Sequence, residues 1–357
     1  MKALVLAGGS GTRLRPITFT RAKQLVPVAN KPILFYGLEA IAAAGITDVG
    51  IVVGETAPEV MAAVGDGSRW GLSVTYLPQD KPRGLAHAVV IAEEYMAGEP
   101  FVMYLGDNLI KDGITSLVRE FESAEASDAH ILLAHVPNPT AFGVAECDDG
   151  KVVRLVEKPA EPKSDLALVG VYLFRPAIFE AVNSIGPSGR GELEITDAIQ
   201  WLVDNGRTVT PHVIEGWWKD TGKLDDLLEA NRILLEDLET EIAGEVGEGV
   251  RIEGRVRIDA GAVVEGRTTL RGPICIGSDV RVVDSYIGPF TSLADGVQVL
   301  GSEIEHSIML QYSRLESVRG RVTDSLFGVG AVVRSTAATP SASRFMVGDN
   351  SEVDIAR

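Results

Sequence analysis

The chain holds only 2 cysteines and 5 histidines in 357 residues, and aromatic side chains make up 6% of it. Cys147 and Cys275 stand far apart without metal-type spacing. This excludes a disulfide framework and a cysteine-based zinc site, and it fits a reduced, cytoplasmic protein. No apolar run approaches the roughly 20 residues needed to cross a bilayer. The first strand opens at the N-terminus, so neither a signal peptide nor a membrane partner is expected. Basic residues are outnumbered 33 to 50, and the net charge of −17 disfavours nucleic acid as a partner. Any phosphate chemistry therefore needs a local positive pocket.

What is abundant is aliphatic. Hydrophobic residues reach 45% and charged ones 23%, a composition of α/β and repeat proteins rather than of disordered chains. The length suggests two domains.

The most informative stretch is VLAGGSGTRLRPITFTRAKQLVP, residues 5–27. A short apolar strand, Ala3 to Ala7, enters the turn Gly8-Gly9-Ser10-Gly11-Thr12, followed by Arg13 and then Lys23. Glycines at a strand-to-helix turn let backbone N–H groups converge on phosphate oxygens, and the two cations supply full charge. A dinucleotide fingerprint would need a small residue where Leu14 stands, and a Walker A loop would need Gly-Lys-Ser/Thr, which is absent. A glycine-rich βα turn with no ligand is the plain alternative.

Up to about Glu215, apolar strands (Val49 to Val53, Ser73 to Leu77, Phe101 to Leu105, Ala129 to Ala134) alternate with helical stretches such as Pro32 to Ala44. The alternation predicts a mostly parallel, Rossmann-like sheet covered on both faces. Ligands of such sheets sit at the carboxyl ends of strands, where Gly8 to Gly11 and Gly106-Asp107-Asn108 fall.

After a helix expected over Leu224 to Leu238, the pattern changes. Val246, Ile252, Ile258, Val264, Leu270, Ile276 and Val282 stand six residues apart, with a second line at Val250, Val256, Ala262, Thr268, Ile274, Val280 and Tyr286. This hexapeptide repeat predicts a parallel β-helix. The phase slips by one before Ile287, Leu293 and Val299, which predicts a distorted corner near Asp284 to Tyr286. A ragged repeat continues to Val333, Thr336 to Ser343 reads as a linker, and the tail from Arg344 is expected to fold back as a cap. The expected domains are residues 1–240, 241–335 and 336–357.

The first block, with KQLVPV and KPILFYGLEAI, resembles the sugar-1-phosphate nucleotidylyltransferases, particularly those that use dTTP and glucose 1-phosphate. LPQDKPRGLAHAV (77–89), YLGDN (104–108), FGV (142–144), VEKP (156–159), VGVYLF (169–174), GELEITDAI (191–199) and WWKDTG (217–222) extend the likeness. The repeats resemble the long form of that family, which implies a left-handed β-helix behind an α/β nucleotidyltransferase domain.

The resemblance implies a site. Leu6, Gly8, Gly9, Ser10, Gly11, Thr12, Arg13, Gln79, Pro82, Gly84, Leu85 and Asp107 would meet the nucleotide. Lys23, Asn108, Gly143, Glu157, Lys158, Gly170 and Tyr172 would meet the sugar phosphate, with Tyr172 packing on the hexose. Asp107 and Asp220 would hold Mg²⁺, which takes hard oxygen ligands; read alone, Asp107 also suits a helix N-cap. The amide of Gln79 both donates and accepts, which suits the imide edge of thymine and uracil equally. Arg13, Lys23 and Asp107 are the expected catalytic residues.

The implied reaction joins dTTP and glucose 1-phosphate into dTDP-glucose and pyrophosphate. Its rivals are a UTP- or GTP-using relative, an acyltransferase in the β-helix relying on His306, and a purely architectural role for the repeats. A homo-oligomer, trimer or tetramer, is expected. His87, His130, His135 and His212 show no partner at ligand spacing and read as structural, as do Trp201, Trp217 and Trp218. Arg190 suits either a phosphate or the cap of the following helix.

Overall fold

The computed structural model describes the chain apart from Ser10, Glu125, residues 336–344 and residues 355–357. It divides into two compact units that do not follow chain order. The first comprises Met1–Ser10, Arg21–Leu25 and Ile33–Asp220; the second comprises Gly11–Thr20, Val26–Pro32 and Thr221–Arg357.

In the first unit β1 (Lys2–Leu6), α1 (Ile33–Ala43), β2 (Asp48–Val53), α2 (Ala57–Val64), β3 (Ser73–Pro78), α3 (Leu85–Met96) and β4 (Phe101–Leu105) alternate as expected. They are followed by β5 (Asn108–Ile110), α4 (Thr115–Ser123), β6 (Ala129–His135), β7 (Gly143–Asp148), β8 (Lys151–Glu157) and β9 (Leu166–Phe174). Then come α5 (Ala177–Ser184), α6 (Ile195–Asp204), β10 (Val209–Val213) and β11 (Trp218–Asp220).

The nine-stranded sheet runs β8-β7-β9-β4-β1-β2-β3, with β6 on β9 and β10 on β6. β4, β1, β2 and β3 are mutually parallel, while β9 runs antiparallel to both β4 and β6. β1 is apolar from Ala3 to Leu6 because both its faces are buried there: Leu4 packs into one core cluster, Ala3 and Val5 into the other. Leu6 is paired with Leu105 and Val52, so the turns after β1 and β4 leave the same edge side by side. Between Leu168 and Tyr172 the register of β9 on β6 shifts in a bulge, which carries Gly170.

The second unit is a solenoid of three parallel sheets, of six, six and five short strands, forming the left-handed β-helix. Both hexad lines point inward: Ile258, Val264, Leu270, Ile276 and Val282, with Val256, Ala262, Thr268, Ile274 and Val280, are almost wholly buried. Val264 pairs with Val282 one coil on, but Leu270 pairs with Ile287, so the corner at Asp284 and Ser285 is one residue short. Asp284 turns that corner at φ 46, and strands continue to Arg334. Thr336 to Ser343 and Arg344 lie outside the described residues, and Phe345, Met346, Val347 and Val353 are exposed, contrary to a packed cap.

Helix α7 (Leu224–Glu236) and a hairpin complete this unit. Pro27–Val28 and Lys31–Pro32 pair antiparallel across Ala29 and Asn30, both at positive φ, as a tight two-residue hairpin requires. Asn231 of α7 accepts from Ala29 N at 2.8 Å and from Ser292 Oγ at 2.7 Å, and donates to Phe290 O at 2.9 Å. Buried Cys275 is unpaired, and burial pushes its thiol up to about 12.

Candidate active site

Lys23, downstream of the glycine turn, meets Asp107 in the turn after β4. Lys23 begins a short 3₁₀ turn, Lys23–Leu25, and its Nζ forms an ion pair with Oδ2 of Asp107. Its aliphatic stem crosses the glycine turn: Cε lies 2.9 Å from where a Cβ on Gly9 would stand. Asp107 is 8% exposed. Burial alone would raise its carboxyl, but the Lys23 charge and hydrogen bonds from Lys23 and Asn108 outweigh that and hold it below the ordinary carboxylate range. Asp107 is thus a fixed anion.

Asn108 is held by three hydrogen bonds. Its Nδ2 donates to Asp107 Oδ1 at 3.1 Å, while its Oδ1 accepts from Gly170 N at 3.3 Å and from Trp218 Nε1 at 2.6 Å. The amide thereby orients Asp107. The β9 bulge turns the Gly170 N–H onto it, and a Cβ at Gly170 would sit 2.7 Å from Asn108 Cγ. Strand β11 lies antiparallel on β5 with Asp220 opposite Asn108, so one metal-ligand candidate stands across from the residue that follows the other.

Gln79 follows β3, and its Oε1 lies 3.2 Å from the Cβ position of Gly8. Its Nε2 donates to His87 Nδ1 at 3.0 Å. Burial, then the Arg83 charge, pushes His87 below its ordinary pKa against a smaller pull from Asp80, which keeps the ring a neutral acceptor. Gly84 sits at φ 106 with Leu193 O 2.3 Å from its Cβ position, a place open only to glycine. Leu85 then starts α3, and Pro82 is exposed beside it.

Glu157 ends β8 and is held from three sides. Thr196 Oγ1 donates to its Oε2 at 3.1 Å, and Arg190 Nη2 and Lys158 Nζ lie 3.2 and 3.5 Å from its Oε1. A Cβ at Gly143 would stand 3.1 Å from Glu157 Oε2. Arg190 also binds Glu194 Oε1 at 2.8 Å, so it neither caps α6 with its own backbone nor stands free for phosphate. Tyr172 corrects another expectation. It is 3% exposed with its ring stacked on Phe174 at 5.9 Å, so its face belongs to the core and not to a hexose.

Ser10 lies outside the described residues. Gly11, at φ 62, precedes the 3₁₀ turn Thr12–Leu14; these residues belong to the second unit, where Thr12 and Arg13 are exposed. Leu6 is half-buried at the end of β1. Sequence reasoning missed His87, Thr196 and Trp218 as partners of site residues, although all three stand inside the motif blocks. His306 bonds Asp324 Oδ1 at 2.6 Å through Nδ1 on a solenoid corner. Among the described residues no helix is long and apolar enough to cross a membrane.

The nucleotidyl transferase family model matches residues 2–237. Over 356 residues the chain is 59% identical to glucose-1-phosphate thymidylyltransferase of Streptomyces antibioticus and 58% identical to that of Streptomyces griseus, covering 99% of both chains each time. A solved structure from Bacillus anthracis, assigned as a glucose-1-phosphate thymidylyltransferase and holding sucrose, is 37% identical; the match covers 68% of this chain and 98% of that one at a TM-score of 0.62. That match leaves about a third of this chain uncovered. With the glycine turn, the Lys23–Asp107 pair and these full-length matches in agreement, the chain belongs to the nucleotidyl transferase family, in its glucose-1-phosphate thymidylyltransferase branch.

Proposed function

We propose that the protein transfers a thymidylyl group from dTTP to α-D-glucose 1-phosphate, giving dTDP-glucose and pyrophosphate. The observation that carries this reading is the Lys23–Asp107 ion pair beneath the glycine turn, at the carboxyl edge shared by β1 and β4. A phosphate oxygen of the sugar attacks the α-phosphorus in line, and the bond to pyrophosphate breaks. The nucleophile is already an anion, so no general base is needed. Alignment and charge neutralisation supply the acceleration.

Lys23 places an ammonium where phosphoryl charge develops, and Asn108 with Trp218 fixes the Asp107 carboxylate. Glu157, locked by Thr196 and Arg190, offers acceptors for sugar hydroxyls, with Lys158 adjacent for the phosphate. Gln79, oriented by His87, reads the base edge. Arg13 serves the leaving pyrophosphate, a role that rests on its motif. Asp107, just before β5, and Asp220, at the end of β11 paired with it, are two hard oxygen donors that fit Mg²⁺. When bound, that ion would neutralise charge on the α-phosphate. Unpaired Cys147 and Cys275 suit a reducing, cytoplasmic setting.

Pyrophosphate release measured with glucose 1-phosphate and each of dTTP, UTP, GTP, ATP and CTP tests the reading. Preference for dTTP, with UTP second, is expected; activity confined to a purine nucleotide would overturn it.

A further inference from the structure

Three residues that the sequence offers no reason to group come together on the face of the sheet covered by α4. Nδ1 of His212, on β10, lies 2.8 Å from Oε2 of Glu120, on α4. Nε2 of His130, on β6, lies 3.8 Å from the same oxygen. One donor atom from each residue falls within 4.8 Å of the others. His130 is 6% exposed, and among the described residues its buried Nε2 meets no hydrogen-bond partner. A buried ring nitrogen left in that state is costly unless something binds it.

The rest of the ring is prepared for a ligand. His130 Nδ1 lies 2.7 Å from Thr210 Oγ1, which in turn lies 2.9 Å from Ser127 Oγ and 3.4 Å from the carbonyl oxygen of Ala129. With the Thr210 proton directed to that carbonyl, its oxygen accepts from Nδ1–H and the lone pair falls on Nε2. This is the tautomer set by an outer hydrogen bond at metal-bound histidines. Burial, with His212 nearby, also disfavours the protonated ring against the pull of Glu120.

We propose that Glu120, His130 and His212 form a binding site for one divalent transition-metal ion of the zinc class. Two imidazole nitrogens and one carboxylate oxygen make a donor set suited to Zn²⁺, with a fourth position left to water, and unlike the all-oxygen set that Mg²⁺ takes. The ion would tie α4 to β6 and to the edge strand β10. It is remote from the substrate residues. Through Leu173, His130 stands level with Val102 of β4, and the chain runs five residues from there to Asp107, about 16 Å at ~3.3 Å per residue.

The test uses the full-length protein, stripped by a chelator and kept in excess Mg²⁺ so that the oxygen site is saturated. Calorimetric titration with ZnCl₂ should show one ion per chain, and CoCl₂ should produce the visible absorption of a nitrogen-ligated, low-coordinate ion. His212→Ala and Glu120→Gln alter side chains at the surface and spare the core; each should weaken Zn²⁺ binding about tenfold or more and abolish the Co²⁺ band. Both should release pyrophosphate at the parental rate. Absence of Zn²⁺ binding by the parent protein, or unchanged binding by both variants, overturns the site. A fall in turnover matching the loss of zinc overturns its separation from the substrate residues.

Discussion

Trp218 donates its indole N–H to Oδ1 of Asn108 at 2.6 Å, across 110 residues of chain. That bond decides which end of the Asn108 amide faces Asp107, since the oxygen is claimed by Trp218 and Gly170 and the nitrogen remains for the carboxylate. Trp218→Phe keeps the edge-to-face contact with Phe142, 5.6 Å between centroids, but loses the donor. It should lower kcat by roughly tenfold while leaving the melting temperature close to the parent's. Steady-state kinetics beside a thermal melt checks this, and an unchanged kcat would remove Trp218 from the positioning of Asp107.

Lys23 and Asp107 should fail together. Lys23→Ala removes the cation and leaves a buried carboxylate uncompensated, while Asp107→Asn removes a candidate metal ligand. Each should cost about 10²-fold or more in kcat, as should Arg13→Ala. For Asp107→Asn the Mg²⁺ concentration giving half-maximal rate should also rise. Near-normal turnover in any of the three would displace that residue from the mechanism.

Base recognition should titrate with His87. Its ring accepts from Gln79 only while neutral, and burial with Arg83 sets its pKa below the ordinary 6.5. The neutral form therefore holds above that lowered value and is lost as pH falls through it. On protonation Nδ1 becomes a donor facing a donor, and Gln79 is released. The KM for dTTP should rise as pH falls below 6.5. His87→Asn, which keeps an acceptor without a titrating group, should flatten that rise. Profiles of equal slope for the two proteins would refute the coupling.

In the second unit Asn231 joins the hairpin turn to the solenoid by three hydrogen bonds and is 0% exposed. Asn231→Leu strands a backbone N–H, a carbonyl and a hydroxyl. It should destabilise the protein by about 3 kcal/mol, since each buried group left unmet costs about 1–3 kcal/mol. Denaturant unfolding measures this; a midpoint equal to the parent's would mean that water replaces the lost bonds.

Much of this was legible in the chain because it is local. Short apolar runs and helical patterns marked β1, β2, β4 and α1 to within a residue or two. The hexads marked the inward-facing side chains of the solenoid and located its short corner at Asp284. The Gly8 to Gly11 turn and Asp107 were found because a strand's carboxyl end is itself visible in sequence. Partners were not legible. Arg190 was left between a phosphate and a helix cap, and it binds Glu157 and Glu194. Tyr172 was offered to the hexose, but its ring is consumed by the core.

By itself, then, the sequence determined which segments form the sheet and the solenoid, and that Gly8, Gly9 and Asp107 follow the carboxyl ends of strands, since each depends on neighbours within a few positions. Tertiary structure alone decided that Trp218 orients Asn108, that His87 orients Gln79, and that Glu120, His130 and His212 converge. Hydrogen bonds and metal-ligand geometry act over about 3 Å in space, and the residues they join lie on different strands and helices whose register no local pattern records.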